Sequence, residues 1–269
     1  MIPSLFLSHG APTLLLDAVP ARDFLARLGS ELPRPSAIIV ASAHWETPVP
    51  AISAALHPET IHDFSGFPGA LYRQSYPAPG APDLAEKMAD LLTAAGLACH
   101  IDARRGLDHG AWVPLKLMFP EADIPVLQLS IQPQLGPGHH YQLGRALAPL
   151  RAENVLIIGS GSLTHNLREL DWSGAAEEPH WVSEFAQWFE QALREGRTCD
   201  LLAYRRLAPH AERNHPRDEH LLPLFVALGA GGDGAKARQL HASATFGSLR
   251  MDAYEFSSPT PSECQTPSE

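Results

Sequence analysis

Short runs of Val, Ile and Leu alternate along this chain with longer stretches whose apolar residues recur at helical spacing, and that alternation confines it to the α/β class. The apolar runs read as strands at Ser4–Ser8, Ala37–Ala43, Leu97–Asp102, Ile124–Ile131 and Val155–Gly159, with a further strand in the run around Thr245–Phe256. Between them, "DLAEKMADLLTAAG" sets Leu84, Met88, Leu91, Leu92 and Ala95 on one helical face and stops at Gly96. "HWVSEFAQWFEQALREG" does the same with Val182, Phe185, Trp188, Phe189 and Leu193 before Gly196. The expectation is a single α/β domain with a central, mostly parallel or mixed sheet flanked by helices.

A chain of 269 residues buries a full-sized core. No uninterrupted apolar stretch approaches the ~20 residues that span a bilayer, so no membrane association is expected. The N-terminus lacks a basic segment and a small-residue cleavage site, which points to the cytoplasm. Three cysteines, Cys99, Cys199 and Cys264, are odd in number and widely spaced, so neither a disulfide framework nor a thiolate metal site is expected. A formal charge of -10 with no basic cluster argues against nucleic acid as a partner and leaves a small molecule. "GAGGDGAK", Gly229 to Lys236, reads as a flexible surface loop. The Ser-, Thr-, Pro- and Glu-rich end has almost nothing to bury, so the folded domain is set at 1–256 and a disordered tail at 257–269.

The 14 histidines are the unusual part of the composition, and three occupy equivalent places. "SLFLSHG" carries His9 just beyond a strand, "AIIVASAHW" carries His44, and "NVLIIGSGSLTHNL" carries His165 after a Gly/Ser turn. Ligands of open α/β sheets bind outside the carboxyl ends of strands, so these side chains can converge on one pocket. The small neighbours Ser8, Gly10, Ser42, Ala43, Gly159, Ser160 and Gly161 suit a site where backbone and substrate approach closely, or simple turning of the chain. A fourth candidate lies in "NHPRDEHLLPLFVALG": Asn214 reads as a helix cap, Pro216 as a first helical residue, and His220 falls in the first turns. His215 and His220 are five apart and do not share a helical face. Pro223 either lies in the first turn or kinks the helix.

Six ordered blocks, "LFLSHGAPT", "ASAHWET", "IHDFSGFPGALYRQSYPAPG", "GLDHGAWVPLKLMFPEADIPVLQLSI", "GSGSLTHNL" and "EHLLPLFVALG", resemble the DOPA 4,5-dioxygenase branch of the class III extradiol ring-cleavage dioxygenases. The resemblance runs from about Ser4 to Tyr254. It implies a mononuclear non-haem Fe(II) held at the carboxyl ends of strands by His9, His44 and His220. His165 matches the family's active-site histidine, as acid/base or as an additional metal contact, and His109 matches a second catalytic pocket histidine. A triad of two histidines and Glu219 is the alternative ligand set. Phe64, Phe67 and Tyr72 are expected as aromatic walls, His62 and Asp63 as orienting or loop hydrogen-bonding groups, and Trp45 and Trp112 as packing residues. The remaining histidines, among them His57, His100, His139, His140, His180, His210 and His241, are read as ordinary surface or core residues.

The activity so implied is oxidative opening of a catechol ring, DOPA-like or otherwise bearing a side chain, with O2 as co-substrate and a muconic-semialdehyde-type product. Zn(II) can occupy the same histidines but is redox-inert. Two other readings fit a three-histidine site: a zinc-dependent hydrolase that activates water, and a binder without turnover. The chain is expected to be a monomer or a homo-oligomer.

Overall fold

The computed structural model describes residues 1–174 and 176–258. Its strands are β1 (Ser4–Ser8), β2 (Ala37–Glu46), β3 (Ala51–Ser53), β4 (His100–Asp102), β5 (Val126–Ile131), β6 (Val155–Gly161), β7 (Lys236–His241), β8 (Ala244–Thr245), β9 (Leu249–Arg250) and β10 (Ala253–Ser257). The helices are α1 (Pro20–Glu31), α2 (Pro82–Ala94), α3 (His109–Met118), α4 (Gly136–Leu147), α5 (His180–Arg194), α6 (Thr198–Leu202), α7 (Tyr204–Leu207), α8 (Ala211–Asn214) and α9 (Leu222–Ala230). One mixed sheet has the order β4-β3-β5-β2-β6-β1-β10-β7, and β8 and β9 form a separate small ribbon.

The centre of the sheet, β5-β2-β6-β1, is parallel, and antiparallel neighbours β3 and β10 flank it. Parallel strands need cover on both faces, which is why these read as nearly continuous apolar runs. Ile38, Val40, Leu5, Leu7, Leu156 and Ile158 pack on one face against α1 and α3. Ile39, Ala41, Leu127, Leu129 and Ile157 point the other way, toward α2, α4 and α9. Every residue of α9 is buried, and α5 closes the β1-β10 end of that layer through Phe185 and Phe189 against Phe6, Tyr254 and Phe256.

The α/β architecture and mixed sheet match the reading of the sequence, while several local expectations change. β2 runs on to Glu46 because its pairing with β5 breaks between Ala41 and Glu46, and His44 lies inside that break. The expected strand Leu97–Asp102 is only His100–Asp102, and the C-terminal run divides into the β8–β9 ribbon and β10. The short β3 and the polar edge strand β7, "KARQLH", were outside the expected set. Ala95 is exposed at the end of α2, where Ala85 joins the buried stripe instead. Gly229 and Ala230 are the buried last turn of α9, not loop, so the connection to β7 is shorter than "GAGGDGAK". Ser257 completes β10, and Ser258 Oγ donates to Gly231 O at 3.3 Å, so the domain runs slightly past Phe256. The rest of the expected tail, 259–269, lies outside the described residues.

Candidate metal centre

Four segments of the parallel sheet's carboxyl edge deliver imidazoles to one place. His9 follows β1, and its N–H donates to Gly161 O at 2.9 Å. His44 sits in the break of β2. His109 opens α3, where the Asp108 carboxylate caps the helix through Ala111 N. Asp108 is itself held by Ser42 Oγ at 2.6 Å, Gln128 Nε2 at 2.7 Å and Arg105 at 2.8 Å. An Asp just before the apolar helical run of "LDHGAWVPL" is a legible helix cap, whereas its buried partners come from elsewhere in the chain.

His220 is placed differently from expectation. Asn214 ends α8 and donates to Trp181 O instead of capping a helix, Pro216 lies in the irregular segment that follows, and α9 begins only at Leu222 with Pro223 in its first turn. His220 precedes α9 and is fixed by its own backbone: its carbonyl accepts from Ser162 N at 2.8 Å. That approach is open only because β6 carries glycine there, since a Cβ on Gly161 would lie 2.0 Å from His220 O. Gly159 makes the same room for Pro223 O. These glycines therefore serve backbone against backbone. Gly10 is likewise set by its φ of +63° and by Met251, whose Cε would lie 2.7 Å from a Cβ. His215 turns away and bonds Leu163 O at 2.8 Å, so His220 alone of the two enters the site.

The Nε2 atoms of His9 and His44 are 3.0 Å apart, and those of His44 and His220 are 3.2 Å apart. Each ring has an oxygen on its other edge. Ser160 Oγ is 3.0 Å from His9 Nδ1 and donates its own proton to Gly110 O, so it accepts from Nδ1. Asp63 Oδ2 faces His44 Nδ1 at 3.3 Å, and Glu219 Oε1 faces His220 Nδ1 at 3.2 Å. With protons on the three Nδ1 atoms, three Nε2 lone pairs point at a common centre. Nitrogens bound to one ion at right angles by bonds of about 2.1 Å stand about 3.0 Å apart, so the donor set fits a mononuclear centre with a facial triad. Glu219 lies on the Nδ1 edge of His220, away from that centre, and serves its ring as a hydrogen-bond partner.

Burial and mutual proximity keep these rings neutral, as ligands must be. Burial first, then the neighbouring histidines, push His9 and His220 well below the ordinary histidine range, and burial brings His44 to about 4. Burial alone would raise Asp63, but His109 outweighs it and holds the carboxyl at about 2. Asp63 Oδ1 accepts from His109 N at 2.9 Å, and Oδ2 approaches His109 Nδ1 at 3.0 Å in an ionic contact too poorly aligned for a hydrogen bond. One carboxylate thus spans His44 and His109, whose ring centroids are 3.9 Å apart.

His165 stacks on His220 at 3.4 Å and 11° between planes, with Nδ1 3.8 Å from Glu219 Oε1. His165, Glu219 and His220 form a second group whose ligand atoms lie within 4.8 Å of one another, the alternative of two histidines and a carboxylate, beside the centre defined by His9, His44 and His220. Burial lowers His165 to about 3.

All five histidines line one cavity of about 440 Å³. Phe64 and Phe67 line it as expected, whereas Tyr72 packs behind Phe64 at 5.1 Å. Leu167, Leu170 and Trp172 complete the wall, residues that no periodicity in the sequence marks. His62 bonds Gln74 O at 3.0 Å and is structural, Trp112 donates to Ile61 O, and Trp45 packs under Arg105.

A family model described as the catalytic LigB subunit of aromatic ring-opening dioxygenase matches residues 4–251. The 4,5-DOPA dioxygenase extradiol of Portulaca grandiflora is 46% identical over 95% of this chain and 96% of its own length. The protein of the same name from Escherichia coli (strain K12) is 40% identical over 85% of each chain. A crystal structure of an uncharacterized Escherichia coli K12 protein superposes with a TM-score of 0.79 at 34% identity, covering 95% of this chain and 99% of that one. With a family match across nearly the whole described sheet and relatives this similar end to end, the chain belongs to the LigB family of aromatic ring-opening dioxygenases and is an extradiol enzyme of that family.

Proposed function

We propose that the protein opens the ring of a side-chain-bearing catechol, DOPA-like or otherwise, beside its two hydroxyls, using iron(II) held by Nε2 of His9, His44 and His220. The observation that carries this reading is the convergence of three neutral imidazoles, each with an oxygen facing its Nδ1, at the wall of an aromatic-lined cavity. Bound iron(II) would supply a redox-active centre with positions left for both catechol oxygens and O2. Zinc fits the same nitrogens without that redox capacity, so a zinc-loaded sample should be folded and inactive. The relatives named for ring opening favour this reading over the hydrolase one.

The chain's own residues would then handle binding and protons. Phe64 and Phe67 pack against the ring and keep water from it. A catechol hydroxyl has an ordinary pKa of about 10, so its loss needs a base in reach. His165, which burial keeps neutral and so able to accept a proton, takes that role: the Glu219 carboxylate on its Nδ1 edge supports the charge that forms on the ring, and the same ring returns the proton to the ring-opened product. Asp63 steadies His109, which holds an oxygen of the reacting pair through Nε2. Both oxygen atoms of O2 end in the muconic-semialdehyde-type product. Among the described residues no helix is long and apolar enough to cross a membrane. Cys99 and Cys199 are free, and the reading places the enzyme in the cytoplasm, where thiols persist.

The test is anaerobic loading with iron(II), followed by O2 uptake and product absorbance against DOPA, caffeate, protocatechuate and unsubstituted catechol. Stoichiometric O2 uptake with a yellow product supports the reading. Silence across the panel from a protein with full iron occupancy overturns it.

A further inference from the structure

One fully buried imidazole lies outside the cavity. His215 directly follows α8, and its ring packs beside Phe185 and Tyr204, with centroids 5.7 Å and 6.4 Å away. Its Nε2 is 2.8 Å from Leu163 O, and a carbonyl can only accept, so that nitrogen carries the proton. Nδ1 is then a bare acceptor, buried and without a partner among the described residues. An aliphatic side chain would suit these aromatic neighbours better than a ring with one nitrogen stripped of water and unpaired. What the imidazole supplies here is its single hydrogen bond, and that bond ends two residues before His165.

The contact is part of a short clasp. His165 N donates to Asn214 O at 2.9 Å, so residues 163–165 and 214–215 are joined at two adjacent points, one through backbone and one through the His215 ring. Asn166 Nδ2 extends the clasp to Arg213 O at 2.7 Å. The His215 backbone is itself held on both sides of the ring: its N–H donates to Ala211 O at 2.8 Å, and its carbonyl accepts from Arg205 Nη1 at 2.7 Å. Nearer the three converging imidazoles, Ser162 N donates to His220 O at 2.8 Å and Leu163 N to Ser8 Oγ at 3.2 Å. Those two bonds tie the loop to the His9 and His220 segments whatever residue stands at 215. The Leu163 carbonyl, where the chain turns toward His165, is the part that His215 holds.

We infer that His215 is a positioning residue for ring cleavage: by holding Leu163 O it sets the course of the chain into His165, and so the place of the His165 ring against the bound catechol. The inference rests on the role given to His165 above. A misplaced base still lets substrate bind but loses reach to its proton, so the loss falls on kcat and not on KM. A shift of about 1 Å in a reacting group can cost on the order of 100-fold in rate.

Three substitutions separate the hydrogen bond from the packing. His215→Leu and the more adaptable His215→Met fill much of the volume and donate nothing, whereas His215→Gln keeps an amide N–H near the place of Nε2. Iron per chain, kcat and KM are measured for each with the best catechol of the panel above, beside the parent and His165→Ala. Expected are parental iron content throughout, kcat at least about tenfold lower in His215→Leu and His215→Met with KM within about threefold, and at least about a third of the parental kcat in His215→Gln. A donor-free variant with parental kcat overturns the inference. So does a loss of kcat that only follows iron content, an equal loss in His215→Gln, or the failure of both donor-free variants to fold, each of which makes His215 a residue of the core alone. Parental kcat in His165→Ala refutes the role given to His165 and leaves His215 nothing to position; an impaired His165→Ala beside an unimpaired His215→Leu refutes this inference alone.

Discussion

Replacing Gly161 by alanine tests how the sheet positions the centre. The new Cβ would lie 2.0 Å from His220 O, 3.1 Å from His220 C and 3.3 Å from Pro223 Cγ. Ordinary carbon–oxygen contact begins near about 3.3 Å, so the His220 carbonyl must retreat by about 1.3 Å. That movement breaks the 2.8 Å bond from Ser162 N and leaves a buried N–H unpaired, at a cost of about 1–3 kcal/mol. Overpacking at the β6–α9 contact adds about 1–3 kcal/mol, for a total loss near 2–6 kcal/mol. The same shift carries the His220 ring away from the 3.2 Å convergence with His44, and metal sites tolerate only about 0.2 Å, so metal affinity should fall by at least about 100-fold. Gly138→Ala is the control: it lies in α4, a Cβ there meets nothing within 4 Å, and alanine should be neutral or stabilise by up to about 1 kcal/mol. Urea unfolding and a metal titration on both variants read the two effects. A Gly161→Ala protein with the parental unfolding midpoint and parental metal affinity would show that the Gly161 contact does not position His220.

Asp63→Asn removes the charge shared by His44 and His109 while keeping an acceptor for His109 N, so metal affinity should drop about 10–100-fold in a folded protein; competition with a chromophoric chelator measures it, and parental affinity would contradict the role given to Asp63. His140 is buried, its Nδ1 donates to Gly136 O, and burial holds it at about 4 against about 6.5 in the unfolded chain. Between those values the unfolded chain binds one more proton, so stability falls as pH falls, by about 3 kcal/mol for this group, and the loss is complete below about 4. Unfolding free energies measured from pH 7 to pH 4 should therefore slope downward, and His140→Gln should flatten that slope; identical slopes would sink the assignment.

Much of the site was legible in the sequence because strand-end geometry is local. Leu5 to Leu7 and Ile38 to Val40 are apolar runs whose direction alone sends His9 and His44 to the same edge of a parallel sheet. His220 was legible as a residue but not in its setting: Asn214 and Pro216 look like helix-start chemistry, yet the chain first wraps over Gly159 and Gly161, a contact between segments about 60 residues apart that no local pattern encodes. The same limit hid the partners of Asp108, since Ser42, Arg105 and Gln128 come from three segments. Asp63 reads in the sequence as an orienting or loop hydrogen-bonding group, but the two rings it touches come from different elements and no local pattern names them. β7 carries no strand signal in the sequence, because this largely exposed edge strand, "KARQLH", lacks the apolar run that marks a central strand.

On the function proposed above, His9, His44 and His220 bind one ion while His165 stands beside it. Iron content per chain after anaerobic loading and desalting tests this directly, in the parent and in the four single alanine variants. One iron per chain is expected in the parent and in His165→Ala, and less than about a tenth of that in each of the other three. Full iron occupancy in His9→Ala, His44→Ala or His220→Ala, or loss of iron in His165→Ala, would contradict that ligand set.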